Sequence, residues 1–468
     1  MKIHEQCVVA PPPSATQTSI TLTFFDLFWL RLRPYELTFF YSLPPPHSEP
    51  SFFFANVVPK LKTSLSHTLH YFLPLAGNIV WPSDSPKPIV QFTPGNGVSV
   101  VVTESDAEFN HEIDYSPREA ARSHPLAPHL HSSDSLASVV SFQITLFPNK
   151  GFSISMSINH AVLDGKSAAM FIKAWAFLCR SQTNNETQIP SLVPELEPSF
   201  DRTLIKEPDF TETLTGFLLK RFPQENRDPR CLKIIPSSPV PKDAIRAKFV
   251  LTRRDLEKIK RRVLLKWDVV EESKSTVFSK PPTLSSFVVT CAYVTVCIAK
   301  AVHGIDREKQ KFAFEFAADW RSRLEPRLPD NYCGNCVWNS LVNADPSDYI
   351  KEEGVVIVAK HIHRKVKMLE KGAAFERFSQ IMDLLRKGDV QMIGAAMSNR
   401  FGVYDTDFGW GKPAKVEMTS MEQNKTPRIG LAETKDGSGG VEVELVIMNK
   451  HVMDLFATLF REGLCDDD

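Results

Sequence analysis

Clean two-residue alternation marks GFSISMSINH, where Phe152, Ile154, Met156 and Ile158 alternate with Ser153, Ser155 and Ser157. That spacing predicts a strand with one buried and one polar face. The period then changes. Ser167 stands where an N-cap belongs, and AAMFIKAWAFLCR carries Met170, Ala174, Trp175 and Leu178 at helical spacing. Near the C-terminus Val441, Val443, Leu445 and Ile447 alternate again, and a helix is expected over about 454–460. AKFVLTRRDLEKIKRRV reads as a strand followed by a basic helix capped near Thr252. Between these blocks, SQTNNETQIPSLVPELEPSFDRTLIKEPDF holds four prolines and little periodicity, as a surface connection does. Strands interspersed with helices imply an α/β fold, a mixed sheet covered by helices in each half. The division expected is 1–195, a crossover 196–240, and 241–468.

Composition narrows the function. Of 468 residues, 43% are hydrophobic and 24% charged, the balance of an ordinary globular protein. Lys plus Arg and Asp plus Glu both number 55, so the net charge is zero, which argues against a nucleic-acid partner. No stretch reads as the ~20 apolar residues of a membrane span. The apolar run Cys7 to Ala10 is too short for a secretory signal, and the last residues carry no retention or lipidation signal. A cytoplasmic protein is expected. No heptads suggest assembly, so a monomer is expected. Eight scattered cysteines suggest no disulfide framework. Cys333 and Cys336 form a lone CxxC, which reads as two small side chains in a turn around Gly334 and not as a metal site.

The strongest chemical candidate is His160, at the end of the alternating strand and sharing its inward parity. An inward histidine near neutral pKa can take a proton from a hydroxyl. Asp164 follows four residues on, before Gly165. It can brace the imidazole or turn away to an arginine and hold the loop; the second role is favoured. Asp407-Phe408-Gly409-Trp410-Gly411-Lys412-Pro413 flanks a tryptophan with glycines, a pattern that marks a bent or closely approached backbone. Arg321 and Arg323 alternate on an extended segment. One can pair with Asp164 and another face a phosphate or carboxylate. Lys258, Lys260, Arg261 and Arg262, with Lys280, are either a phosphate patch or, more simply, a solvated helix face. Phosphate-loop, dinucleotide-glycine, GxSxG and HExxH patterns are absent.

Together these islands resemble the plant BAHD acyltransferases, which move acyl groups from CoA thioesters to alcohols or amines. HAVLDG matches the family's HxxxDG and DFGWG its second motif; LSHTLHYFLPLAGN from Leu65 and LSSFVVTCAYV from Leu284 look like two of its helices. TFFDLFWL from Thr23, the DxRxR at Asp319 and YCGNC from Tyr332 are similar to the flavonoid and phenolic glucoside malonyltransferase clade, although Cys333 replaces the phenylalanine of YFGNC. Asn159 stands where many members carry a first histidine.

The resemblance implies a two-domain fold like chloramphenicol acetyltransferase with a channel between the domains. It implies malonyl-CoA as donor cosubstrate, a glycosylated phenolic as acceptor, and neither metal nor resident cofactor. His160 would be the general base, Asp164 a loop-holding residue, and Asp407 a further proton acceptor. Ser285 and Ser286 would contact CoA. The malonyl carboxylate would meet Arg321, Lys166 or the Arg31/Arg33 pair. Acetyl or hydroxycinnamoyl donors, a carrier-protein condensation domain and a non-catalytic relative are the competing readings.

Overall fold

The Gly151–Ile158 strand lies near the middle of a six-stranded sheet. It runs antiparallel to Val140–Phe147 on one side and to Tyr35–Ser42 on the other, with Met156 opposite Phe142 and Leu37. The computed structural model describes residues 1–182, 189–208, 211–212, 215–216, 228, 230–236, 240–269, 281–305, 312–342, 344–370, 391–419, 421 and 427–465. The sheet order is Lys2–Val9, Val98–Glu104, Val140–Phe147, Gly151–Ile158, Tyr35–Ser42, Lys415–Met418. The expected polar face of Gly151–Ile158 is not solvated. Ser153, Ser155 and Ser157 are at most 1% exposed, because both faces of the sheet are covered. Ser155 bonds Thr38 at 2.9 Å, and the Ser157 hydroxyl donates to the Pro128 carbonyl. Alternation here records apolar and polar burial.

A seven-stranded mixed sheet forms the other half. Its order is Val337–Val342, Phe312–Asp319, Gln391–Met397, Arg428–Glu433, Val441–Ile447, Ile245–Leu251, Arg118–Glu119. A smaller sheet joins Thr18–Thr21, Ile89–Phe92, Asn78–Val80 and Leu136–Ser138. The basic segment is the helix Arg253–Leu265, where Thr252 and Asp255 form a reciprocal capping box. The last helix is Lys450–Glu462, longer at both ends than expected, and it starts early because Asn449 caps it by accepting from His451 N and Val452 N.

Two expectations are corrected. The boundary at 196–240 does not separate the sheets. Lys415–Met418, from the second half of the chain, is an edge strand of the first sheet, and Arg118–Glu119, from the first half, extends the second. The helix Ser286–Ile305 is long and apolar enough to cross a membrane, with a mean hydropathy of 1.7, contrary to the sequence reading. It is a core helix, with 78% of that window buried against the rest of the protein.

Where the strands exchange, charges are buried. The Glu417 carboxylate accepts from Arg118 and Ser123, and lies 3.0 Å from Lys415 Nζ and 3.5 Å from Arg246 Nε. Burial penalises this carboxylate, but Arg246, Lys415 and Arg118 outweigh that penalty and hold its pKa far below the usual range. Arg246 also binds Glu444, and Lys248 binds Glu442 at 3.0 Å. Glu417→Ala would take the carboxylate from the buried Lys415 and leave Arg246 and Arg118 to Glu444 and Glu112, so it should lower unfolding free energy by about 3–5 kcal/mol in urea titrations.

Candidate active site

The strand stops at Ile158 because Asn159 turns the chain. Asn159 N donates to Val139 O at 2.8 Å, its Oδ1 accepts from Ala161 N, and its carbonyl accepts from Val162 N. His160 to Leu163 form the short loop, and Gly165–Ser181 is the helix. The N-cap is Asp164, not Ser167. Asp164 Oδ1 accepts from Ser167 N at 2.9 Å, so Ser167 occupies the first turn and its hydroxyl donates to Gly334 O. Glycine is needed at 165 because a Cβ there would stand 2.8 Å from the Phe401 ring.

Asp164 faces away from the imidazole and meets Arg321. Nη1 lies 2.8 Å from Oδ2 and Nη2 3.1 Å from Oδ1, a bidentate pair in which each partner is at most 2% exposed. Cys336 N donates to Oδ2 at 3.0 Å. Burial alone would raise the Asp164 pKa, but Arg321 and the Ser167 and Cys336 N–H groups bring it below its ordinary value. Arg321 also donates to Tyr332 O, Gly334 O, Ser167 Oγ and Asp319 Oδ1. Arg321 as binder of the malonyl carboxylate is therefore corrected: its guanidinium is committed to Asp164 and to these carbonyls.

The YCGNC turn reaches the histidine directly. Asn335 Nδ2 donates to His160 O at 2.7 Å and to Asp26 Oδ1 at 3.0 Å. Asp26 belongs to TFFDLFWL, is fully buried, and accepts from Thr23 N and Oγ1, both at 2.8 Å. Burial raises its pKa even against the Arg202 charge. Two motifs about 300 residues apart thus act as one brace, Asp26 to Asn335 to the His160 backbone. The same N-terminal motif supplies Trp29, whose ring lies 3.7 Å from the imidazole at 3°, fully stacked, while Tyr35 sits at 4.8 Å and donates to Asp164 O. His160 Nδ1 is buried, and burial pushes the imidazole pKa down to about 4.

A cavity of about 1380 Å³ opens at His160, walled by Tyr35, Leu37 and Phe39 from the first sheet and by Glu315 to Asp319 and Ala395 to Met397 from the second. Arg33, Lys166 and Ser285 also line it. Arg33 Nη2 donates to Pro236 O at 3.1 Å, and Lys166 Nζ lies 3.5 Å from the exposed Asp330. Ser285 Oγ accepts from Val288 N, capping the core helix, and Ser286 is the first helical residue and lies off the wall. Arg31 is 8% exposed with Nε donating to Cys231 O at 2.6 Å, which ties it to that loop.

Asp407 is not at the cavity, which corrects its expected role as proton acceptor. Its Oδ1 accepts from Gly409 N at 2.8 Å and Gly411 N at 2.9 Å, and those glycines have φ of 102° and 100°. Asp407 holds its own loop, whose left-handed positions require glycine. Phe408 is buried between Tyr41 and Trp175, while Trp410 packs edge-on against Phe152. Cys333 and Cys336 are buried thiols in the turn, and burial pushes Cys333 up to about 12. On the basic helix Lys258 donates to Leu464 O, Arg262 to Gly463 O, and Lys260 pairs with Glu257, while Arg261 is exposed, as on a solvated helix face. Lys280 lies outside the described residues.

Sequence reasoning missed Trp29, Asp26 and Asn335 as individual residues, although it quoted the motifs that hold them. It also missed Glu315 and Arg428 on the cavity wall, for which no motif exists. If Asp164 braces the loop, Asp164→Ala should cost about 3–5 kcal/mol by leaving Arg321 buried without its bidentate partner, with only the half-exposed Asp319 carboxylate beside it. The expected outcome is a lower melting temperature together with a lower rate; a lost rate at unchanged melting temperature would assign Asp164 to the chemistry itself.

Comparison with known proteins agrees with this geometry. The Transferase family model matches residues 1–461. The Arabidopsis thaliana phenolic glucoside malonyltransferase 1 is 38% identical over 478 residues, covering 99% of this chain and 98% of the relative. The malonyl-CoA:anthocyanidin 5-O-glucoside-6''-O-malonyltransferase of the same plant is 37% identical, covering 98% and 97%. Among solved structures, vinorine synthase aligns with a TM-score of 0.67 at 20% identity, covering 100% of this chain and 99% of that one. With a half-buried His160 on a cavity between two sheets that exchange edge strands, and with its HxxxDG loop and DFGWG motif, the chain belongs to the BAHD acyltransferase family.

Proposed function

We propose that this chain is an O-malonyltransferase that moves malonyl from malonyl-CoA to a sugar hydroxyl of a flavonoid, isoflavonoid or related phenolic glucoside. The observation that carries the reading is the imidazole of His160. It is neutral at physiological pH and stands on a cavity wall, and Asn335 of the malonyltransferase-like YCGNC turn holds its backbone. The names of the two relatives support the donor and the acceptor class.

With Nδ1 buried, Nε2 is the nitrogen that meets the substrate. It takes the proton of the sugar hydroxyl as the oxygen attacks the thioester carbonyl. The tetrahedral oxyanion collapses, the C–S bond breaks, and the imidazolium returns its proton to the CoA thiolate. No covalent acyl-enzyme is needed. Arg33, Lys166 and Ser285 stand on the wall as contacts for CoA or for the malonyl carboxylate.

The test is a screen of malonyl-, acetyl- and hydroxycinnamoyl-CoA against one flavonoid glucoside, with product mass measured. Malonylated glucoside is expected; acetylated product alone would remove the malonyl reading. His160→Ala should lose about 10²–10⁴-fold in kcat while keeping its melting temperature. The sign of the pH effect follows from the lowered pKa. A base kept neutral down to about pH 4 retains kcat/KM between pH 5 and 7, so its acidic limb falls near its own pKa and not near the ordinary 6.5. A limb at 6.5 would show that the imidazole is not the depressed group.

A further inference from the structure

Three neighbouring strands of the second sheet place a charged pair over a glycine. In the parallel register Glu315 lies beside Gly394, and Gly394 beside Arg428. All three residues face the same way, so the outer two side chains reach across the middle one and meet, Nη1 to Oε1 at 3.3 Å. The bridge requires the glycine. A Cβ at 394 would stand 2.6 Å from Arg428 Nη1 and 3.2 Å from Glu315 Oε1. Two residues along the same face, Ala317 and Ala396 line the cavity. Small side chains there leave a flat floor beside the ion pair.

This floor and pair belong to the cavity that holds His160. Glu315, Ala317, Ala396 and Arg428 all line it. The Glu315 side chain is 11% exposed and the Arg428 side chain 28%, so both present atoms to a ligand while remaining largely desolvated. Arg428 Nε is buried without a hydrogen-bond partner. Arg428 also contributes to the depressed pKa of His160, which places its charge within electrostatic reach of the imidazole.

The chemistry of the pair selects its ligand. Arg428 already carries a carboxylate, so a malonyl carboxylate or a CoA phosphate placed beside it would face Glu315 as well. A neutral polyol meets no such repulsion. Its hydroxyls donate to the carboxylate and accept from the guanidinium, both as charge-assisted bonds. We propose that Glu315 and Arg428, held together over Gly394, bind ring hydroxyls of the acceptor's sugar and so present its remaining hydroxyl to His160. The Ala317 and Ala396 floor supports one face of the acceptor. This assignment rests on the glucoside acceptor proposed above.

Two conservative variants test it, Glu315→Gln and Arg428→Lys, each first checked for an unchanged melting temperature. With malonyl-CoA, both should raise the KM for phenyl β-glucoside by about 10- to 100-fold, the loss expected for a hydrogen bond to a charged group. The KM for malonyl-CoA should stay within about twofold. Wild-type preference for phenyl β-glucoside over 2-phenoxyethanol, which keeps a primary hydroxyl but has no ring hydroxyls, should collapse in both variants. Gly394→Ala should reproduce the loss by parting the pair. An unchanged glucoside KM, or a changed malonyl-to-acetyl donor ratio at constant glucoside KM, would overturn the assignment. If the wild type acylates no glucoside, the functional reading falls, and calorimetry with phenyl β-glucoside still decides the pair. Weaker binding to the variants would support it; absent or equal binding would overturn it.

Discussion

The Asp164–Arg321 pair is the contact on which the rest of the site depends. Two charges at most 2% exposed are expensive to bury, and the attraction between them offsets that cost only with full hydrogen bonding. Here it is nearly complete. Asp164 accepts from Ser167 N and Cys336 N besides the guanidinium, and Arg321 spends its remaining donors on the Tyr332 and Gly334 carbonyls. One carboxylate therefore caps a helix of the first half, locks the YCGNC turn of the second, and sets the loop between. His160 occupies that loop, and Asn335 of the same turn holds its carbonyl. The imidazole is placed by its backbone, which leaves its ring nitrogens uncommitted to a structural bond with Asp164.

A second buried network keeps the halves in register. The chain passes Lys415–Met418 to the first sheet and Arg118–Glu119 to the second, so each sheet is completed by the other half. Glu417 and Arg246 sit where these exchanged strands meet. Opening the cavity by parting the sheets would expose and unpair these groups. The cavity walls are thus rigid with respect to each other at the exchanged edges, and preorganisation of that kind limits the motion needed to bring hydroxyl and thioester together.

What the sequence made legible was local. The strand and helix around His160, the cap near Thr252 and the core strand at Val441 follow from period and cap chemistry over a few residues. Asp164 as a brace was readable because aspartate, glycine and a distant arginine suggested it. The choice of Arg321 as that arginine, and its consequent loss to the donor, depended on tertiary packing. Ser167 was misplaced as N-cap because a serine and an aspartate three residues apart satisfy the same rule, and only geometry shows which accepts. Asp407 was over-read: its two glycine N–H partners are a local loop device, and the distance to the cavity has no signature in sequence. The Glu315, Gly394 and Arg428 row was illegible for the opposite reason. Its members are separated by 79 and 34 residues and meet only through strand register.

The stacked indole of Trp29 completes the logic of the base proposed at His160. A desolvated imidazole with a pKa near 4 is in its proton-accepting form at neutral pH, yet a weak base gains little from a proton unless its charged form is stabilised as it develops. The Trp29 face lies parallel to the ring at 3.7 Å. An aromatic face attracts a cation by roughly 0.5–2 kcal/mol, more when desolvated, and has no comparable attraction for the neutral ring. The buried Asp164 charge raises proton affinity in the same direction. Both effects grow with charge on the imidazole, so under the proposed mechanism they favour the state in which the acceptor oxygen has begun to attack over the resting enzyme. Burial keeps the base ready, and the indole and the carboxylate offset the cost of burial once the proton moves.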